Sequence, residues 1–104
     1  VVTCYKRLER GWVGDEALAI AVYCALKSSS DFRQGVILAV NHDGDSDSTG
    51  SICGNILGAY LGRSALPQDW LAKLELREVI AEVGRDLLTA YRDDEEWKAK
   101  YPGW

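Results

Sequence analysis

An all-α fold is what this sequence predicts, and three observations predict it. Apolar blocks are bounded by helix-start and helix-stop residues, small residues recur at a spacing of four, and residues 75–91 alternate apolar and charged positions with a helical period. About five helices follow from these signals, with no internal repeat, linker or low-complexity block between them.

Gly11 and Gly14 punctuate the opening, and "DEALAIAVYCALK", residues 15–27, reads as the first helix. Asp15 and Glu16 suit a first turn, where the positive end of the helix dipole favours anions, and Lys27 suits the last. Its middle is apolar on every side, which predicts burial on every side. "SSSDFRQGVILAVN" follows, with Ser30 or Asp31 as N-cap. Its "VILAV" run is compatible with a buried strand as well as a helix. The helical neighbours favour helix.

After an aspartate-rich loop, residues 42–47, a helix is expected from about Ser48 to Leu61, with Ser48 or Thr49 as its N-cap. Gly50, Gly54, Gly58 and Gly62 fall on one face of it, where missing side chains let another backbone approach. Each interior glycine costs a helix roughly 1 kcal/mol relative to alanine, so close packing must offset them and the helix should be central. Pro67, Gln68 and Asp69 mark a further start, with Trp70, Leu71 and Leu74 as an anchoring stripe. Residues 75–91 then place Leu76, Val79, Ile80, Val83, Leu87 and Leu88 on one side and charges opposite, the pattern of a surface helix. The tail 92–104, "RDDEEWKAKYPGW", has no clear period after Trp97 and reads as a fraying end, with Trp97, Tyr101 and Trp104 available to dock.

Composition bounds the function. With 104 residues, 11.5 kDa and a net charge of −4, the chain is one small acidic domain without the basic stripe that nucleic acid or an anionic membrane requires. A phosphorylated ligand would have to be received by metal ions or helix N-termini. The longest apolar run, Ala17 to Leu26, is too short to span a bilayer, and no signal peptide is visible. Cys4, Cys24 and Cys53 are odd in number and lack C-x-x-C spacing, so they read as reduced packing residues of a cytoplasmic protein. Two helices that want burial on all sides exceed what a domain this small supplies. The sequence also holds no methionine, so Val1 does not read as an initiator residue; both features predict a fragment of a larger domain.

Three readings of "HDGDSDSTG" compete. Counted from Asp43, a calcium-binding EF-hand loop needs Gly at its sixth position and Glu at its twelfth; Ser48 and Gly54 stand there, so that reading fails. An Asx-rich turn capping a helix explains one aspartate but not three crowded ones, which repel unless a cation neutralises them. A hard-cation site explains the crowding: Asp45, Asp47 and Ser48 offer the oxygen donors that Mg²⁺, Mn²⁺ or Ca²⁺ prefer. They supply only part of a shell, and Asp93 to Glu96 reads as a solvated run, so further ligands must come from elsewhere. His42, the only histidine, reads as a residue that orders the loop backbone, in preference to a ligand or base.

At these residues the chain resembles a known family, the ADP-ribosylglycohydrolases of the dinitrogenase-reductase-activating type. "AVNHDGDSDSTGSICGNILGAYLG" is similar to the family's C-terminal metal motif, written G-D-x-D-[ST] and followed by a small-residue helix. "GWVGDEALAIAVYCALK" resembles the upstream G-W-V-x-E-E-A-L segment, and "LPQDWLAKLELREVIAEVGRDL" the closing helices. The resemblance implies the C-terminal part of a larger, orthogonal helical domain. It also implies two Mg²⁺ or Mn²⁺ ions held jointly with an N-terminal Thr-Asp-Asp motif that this chain lacks. Asp45, Asp47 and Ser48 fall on the C-terminal metal ligands; Ser48 keeps the hydroxyl of the more usual threonine, and Asp43 is not a ligand. Gly11 and Trp12 fall in a loop that lies near ADP-ribose in relatives, so they are the expected substrate contacts, against core packing for Trp12 and turn geometry for Gly11. The implied activity is hydrolysis of the glycosidic bond linking ADP-ribose to a protein side chain or small acceptor, by a chain that is inactive alone. The missing N-terminal segment or a second copy would complete it. The alternative is a non-catalytic ADP-ribose-binding or interaction module that keeps the fold.

Overall fold

The computed structural model describes residues 10–90 and 92–103; Cys4 and Trp104 lie outside the described residues. Among them are six α-helices and no strand, so the all-α prediction holds. No described helix is long and apolar enough to cross a membrane. The chain divides into two compact units, one ending at Gln68 and the other beginning at Asp69.

The first unit is built from α1 (Gly14–Lys27), α2 (Phe32–Val40) and α3 (Ser46–Leu61), each packed on the other two. The "VILAV" run is helical. Asp31 caps α2, its Oδ1 accepting the Gln34 N–H at 3.0 Å. α1 turns Ala17, Ile20, Ala21, Cys24 and Ala25 inward, the i, i+3, i+4, i+7, i+8 stripe of one helix face. They meet Ala39 of α2 and Cys53 and Leu57 of α3 in the core. Burial on all sides of α1 is not what the structure has: Leu18 and Leu26 are 50% and 74% exposed, and Val22 is exposed between them. Only one stripe of α1 faces α2 and α3, and nothing among the described residues covers the opposite one.

The glycine face of α3 is where α2 lies. The two helices run antiparallel along it, Val40 over Gly50, Val36 over Gly54 and Phe32 over Gly54 and Gly58. The approach is closest at Gly50, where an added Cβ would come within 2.5 Å of Val40 Cγ1. At Gly54 and Gly58 the nearest atoms would be at an ordinary 3.8 Å. Gly62 ends the helix at φ +79°, a left-handed conformation that glycine adopts without strain, and its N–H bonds the Gly58 carbonyl at 3.0 Å. Cys24 and Cys53 are both buried. Burial, with Cys24 beside it, pushes the Cys53 thiol up to about 11, so it remains a protonated packing group.

A short 3₁₀ turn, Arg63–Ala65, precedes α4 (Gln68–Lys73), which starts directly after Pro67 as expected. In the second unit α5 spans Arg77–Thr89, shorter at both ends than the expected 75–91. Positive φ at Leu76 (56°) and Ala90 (60°) stops the helix there. Its apolar stripe is present in sequence but lies open, Leu88 being 87% exposed. The tail expected to fray carries a helix instead, α6 (Glu95–Lys100). Asp94 caps it by accepting the Trp97 N–H at 2.8 Å, and Trp97 is buried with its ring 5.0 Å from that of Tyr101. Lys100 bridges to Glu82 and, at 2.6 Å, to Asp86, whose Oδ2 also accepts the Tyr101 hydroxyl at 2.7 Å. Those ties explain why six residues hold a helix that propensity alone would not support.

Candidate functional site

The aspartate loop joins α2 to α3, and its geometry begins with the helix start. α3 starts at Ser46 with Asp45 as N-cap, not at Ser48 with Ser48 or Thr49 in that role. Asp45 Oδ1 receives the Ser48 N–H at 3.4 Å, and the same N–H donates to Asp47 Oδ1 at 2.8 Å. Two carboxylates thus share one donor at the positive end of α3, where anions are favoured. A hydrogen bond with the Asp47 side chain, and then those from Ser48, hold the Asp45 carboxyl below the usual carboxylate range.

Thr49 is displaced from capping into the core. It is fully buried, and its hydroxyl donates to the Ala39 carbonyl of α2 at 2.7 Å, with the Asp45 and Ser46 carbonyls at 3.1 and 3.2 Å. His42 lies on it, Nε2 to Oγ1 at 2.9 Å, while His42 Nδ1 accepts the Gly44 N–H at 3.0 Å. The expected loop-ordering role of His42 matches these contacts. Asp43 is turned outward in an ion pair with Arg10 at 3.5 Å; both side chains are well solvated, so the pair adds little.

The two segments singled out from sequence meet here. The Asp45 N–H donates to the Arg10 carbonyl at 2.9 Å. Gly44 has room for no side chain, since a Cβ would lie 1.8 Å from that same carbonyl oxygen. Gly11 follows in the left-handed region (φ +74°), buried, with Thr49 Cγ2 and Ile20 Cδ1 at 3.3 and 3.4 Å from where its Cβ would be. The conformation therefore favours glycine at 11, and the space beside it is tight. Trp12 is 68% exposed beside this turn, which excludes core packing for it among the described residues. An aromatic face left in solvent is one on which a flat ligand can stack.

Asp47 and Ser48, with Ser51 and Ile52, line an open cleft of about 410 Å³ on the outer side of α3. Two carboxylates and a hydroxyl are donors of the right chemistry for a hard cation, yet three donors do not complete its shell. Among the described residues no three His, Cys, Asp or Glu side chains converge on one point where they could hold an ion. Sequence reasoning missed Gly44, Arg10 and Ser51. Ser51 was detectable in principle, since it sits one helical turn from Asp47; the Arg10–Gly44 crossing leaves no trace in local pattern. It also missed Glu16, whose Oε2 is enclosed on the first turn of α1 without a hydrogen-bond partner among the described residues.

Comparison with known proteins bears on this arrangement. The ADP-ribosylglycohydrolase family model matches residues 2–96. The chain is similar to the ADP-ribosylarginine hydrolase Tri1 of Serratia proteamaculans, 31% identical over 87 residues that cover 80% of this chain and 24% of the relative. It is also similar to the ADP-ribosyl-[dinitrogen reductase] glycohydrolase of Rhodospirillum rubrum, 30% identical over 73 residues, 70% of this chain and 24% of the relative. An uncharacterized protein of Archaeoglobus fulgidus is 42% identical over 60 residues, 58% of this chain and 19% of the relative. The chain therefore spans about a quarter of the length of the curated relatives it matches. No solved structure matches it significantly. With nearly its whole length matched and both of its marked segments folded against each other, this chain belongs to the ADP-ribosylglycohydrolase family.

Proposed function

We propose that the chain supplies the C-terminal half of a dinuclear Mg²⁺ or Mn²⁺ site in a hydrolase acting on ADP-ribosylated protein or an ADP-ribose derivative. The bond cleaved is the glycosidic bond from ADP-ribose to a protein side chain or small acceptor. The other half of the site, a Thr-Asp-Asp cluster, comes from a segment outside these 104 residues, and the chain alone is inactive. The names of the Serratia and Rhodospirillum relatives support an ADP-ribosylated protein as substrate. Three cysteines, odd in number and without C-x-x-C spacing, suit the cytoplasm, where thiols stay reduced.

The observation that carries this reading is the crossing of the Arg10–Gly11 turn over the aspartate loop, the Arg10 carbonyl accepting the Asp45 N–H at 2.9 Å with Trp12, two residues on, exposed. Asp45, Asp47 and Ser48 hold the cations. Trp12 offers a flat face for stacking, and Gly11 lets the backbone run close to the loop. The first amides of α3 sit at an anion-favouring helix start near the same loop. When bound, a pair of divalent ions orients ribose hydroxyls and a water and stabilises charge on oxygen.

The experiment combines the chain with a complementary segment that carries the Thr-Asp-Asp cluster and measures release of ADP-ribose from a modified protein. Asp45→Ala and Asp47→Ala are each expected to lower turnover by orders of magnitude. Variants that bind ADP-ribose with undiminished affinity, from a parent without turnover, would instead establish the non-catalytic binding module.

A further inference from the structure

We propose that His42 is the positioning residue of the aspartate loop, a neutral imidazole with its proton on Nε2 that fastens the Gly44 amide to buried Thr49. The proton positions follow from the partners. Gly44 N–H is a donor, so Nδ1, 3.0 Å away, must be bare. The Thr49 hydroxyl carries one proton, and its three other neighbours within reach are all carbonyl oxygens, Ala39 O being nearest at 2.7 Å. Its lone pair therefore faces His42 Nε2 at 2.9 Å, which must carry the hydrogen. The opposite tautomer would set two N–H groups against each other at Gly44, and two lone pairs against each other at Thr49 or at Ala39. Both ends of the ring agree on one state.

That state defines what the ring does. Both nitrogens are engaged, so His42 neither ligates a cation nor takes a proton from water without breaking the loop. What it does is mechanical. The Thr49 hydroxyl ties α3 to the end of α2, and the ring extends that tie into the loop at Gly44, the residue before Asp45. The Ser46 hydroxyl closes the circuit by donating to the His42 carbonyl at 3.1 Å. Asp45 is then held from two sides, through Gly44 by His42 and through its own N–H by the Arg10 carbonyl. Residues that orient a ligand from behind in this way are worth about 10–100-fold in metal affinity.

The functional part rests on the cation reading above; the hydrogen-bond part does not, and the test separates them. His42 is the only histidine, so a long-range proton–nitrogen spectrum of the chain shows a single imidazole. Near pH 7.5 it should show protonated Nε2 and bare Nδ1; an Nδ1–H ring, or a ring averaging between tautomers, overturns the proposal. In His42→Gln and His42→Asn, exchange of the Gly44 and Asp45 amides should rise about tenfold or more while Ala21 and Cys24 in α1 exchange as before. Unchanged loop amides, or equal acceleration in α1, overturn it too. With the complementary segment present, Mn²⁺ affinity should fall about tenfold in both variants, with turnover at saturating Mn²⁺ retained. A wild type that takes up no Mn²⁺ defeats the cation reading and leaves the spectral outcomes to decide the role of His42.

Discussion

Gly44→Ala is the substitution that strikes the crossing most directly. The new Cβ would lie 1.8 Å from the Arg10 carbonyl oxygen and 2.6 Å from the Arg10 carbonyl carbon. A carbon–oxygen contact relaxes only near 3.3 Å, so the Arg10 backbone must retreat by about 1.5 Å. Backbone cannot swing aside as the end of a side chain can. Adding that retreat to the 2.9 Å Asp45 N–H to Arg10 O distance puts the pair beyond hydrogen-bonding range. Losing the bond costs about 0.5–1.5 kcal/mol, and loosening the packing of Gly11 on Thr49 and Ile20 brings the expected total to about 1–2 kcal/mol. Amide exchange reads it locally, because the first unit and the second need not melt together. The Asp45 amide should lose protection, and urea unfolding of α1 to α3 should shift down by that amount. A variant of wild-type stability with Asp45 still protected would refute the crossing.

Three further outcomes follow from the packing. Gly54→Ala should stabilise the first unit by up to about 1 kcal/mol in urea unfolding, since helix propensity improves and the new methyl meets Phe32 and Val36 at an ordinary 3.8 Å. Thr49→Val keeps the shape but strands the Ala39 carbonyl and the His42 Nε2–H, and should cost about 1–3 kcal/mol by the same measurement. In the second unit, Lys100 and then the Tyr101 hydroxyl hold the Asp86 carboxyl below its ordinary value. A depressed carboxylate contributes stability above its unfolded value of about 3.9 and loses it as the pH falls through the folded one. Trp97 resonances followed from pH 5 to pH 2 should show this loss, and Asp86→Asn should flatten it.

Start and stop residues marked α1, the four-residue glycine spacing marked α3, and helical neighbours decided α2, while cap chemistry narrowed its start to Ser30 or Asp31, because such signals act within a few residues. The cap of α3 was misassigned by three or four residues since five consecutive candidates, Asp45 to Thr49, all favour that position, and Thr49 was drawn inward by the Ala39 carbonyl, ten residues away. The tail defeated pattern reading for a related reason: α6 is held by Asp86 and Glu82, which no window around Trp97 contains. The crowding of carboxylates in the aspartate loop was legible, whereas the sharing of the Ser48 N–H by Asp45 and Asp47 depends on where the helix starts. The glycine face was legible too, though only Gly50 has the tight approach that the spacing suggested for all four.

Manganese titration of the chain with its complementary segment, followed by electron paramagnetic resonance, tests the central claim most directly. Two ions should bind to the wild-type assembly, and the Asp45→Ala, Asp47→Ala double variant should fail to take them up. Undiminished uptake by the double variant, or none by the wild type, would contradict it.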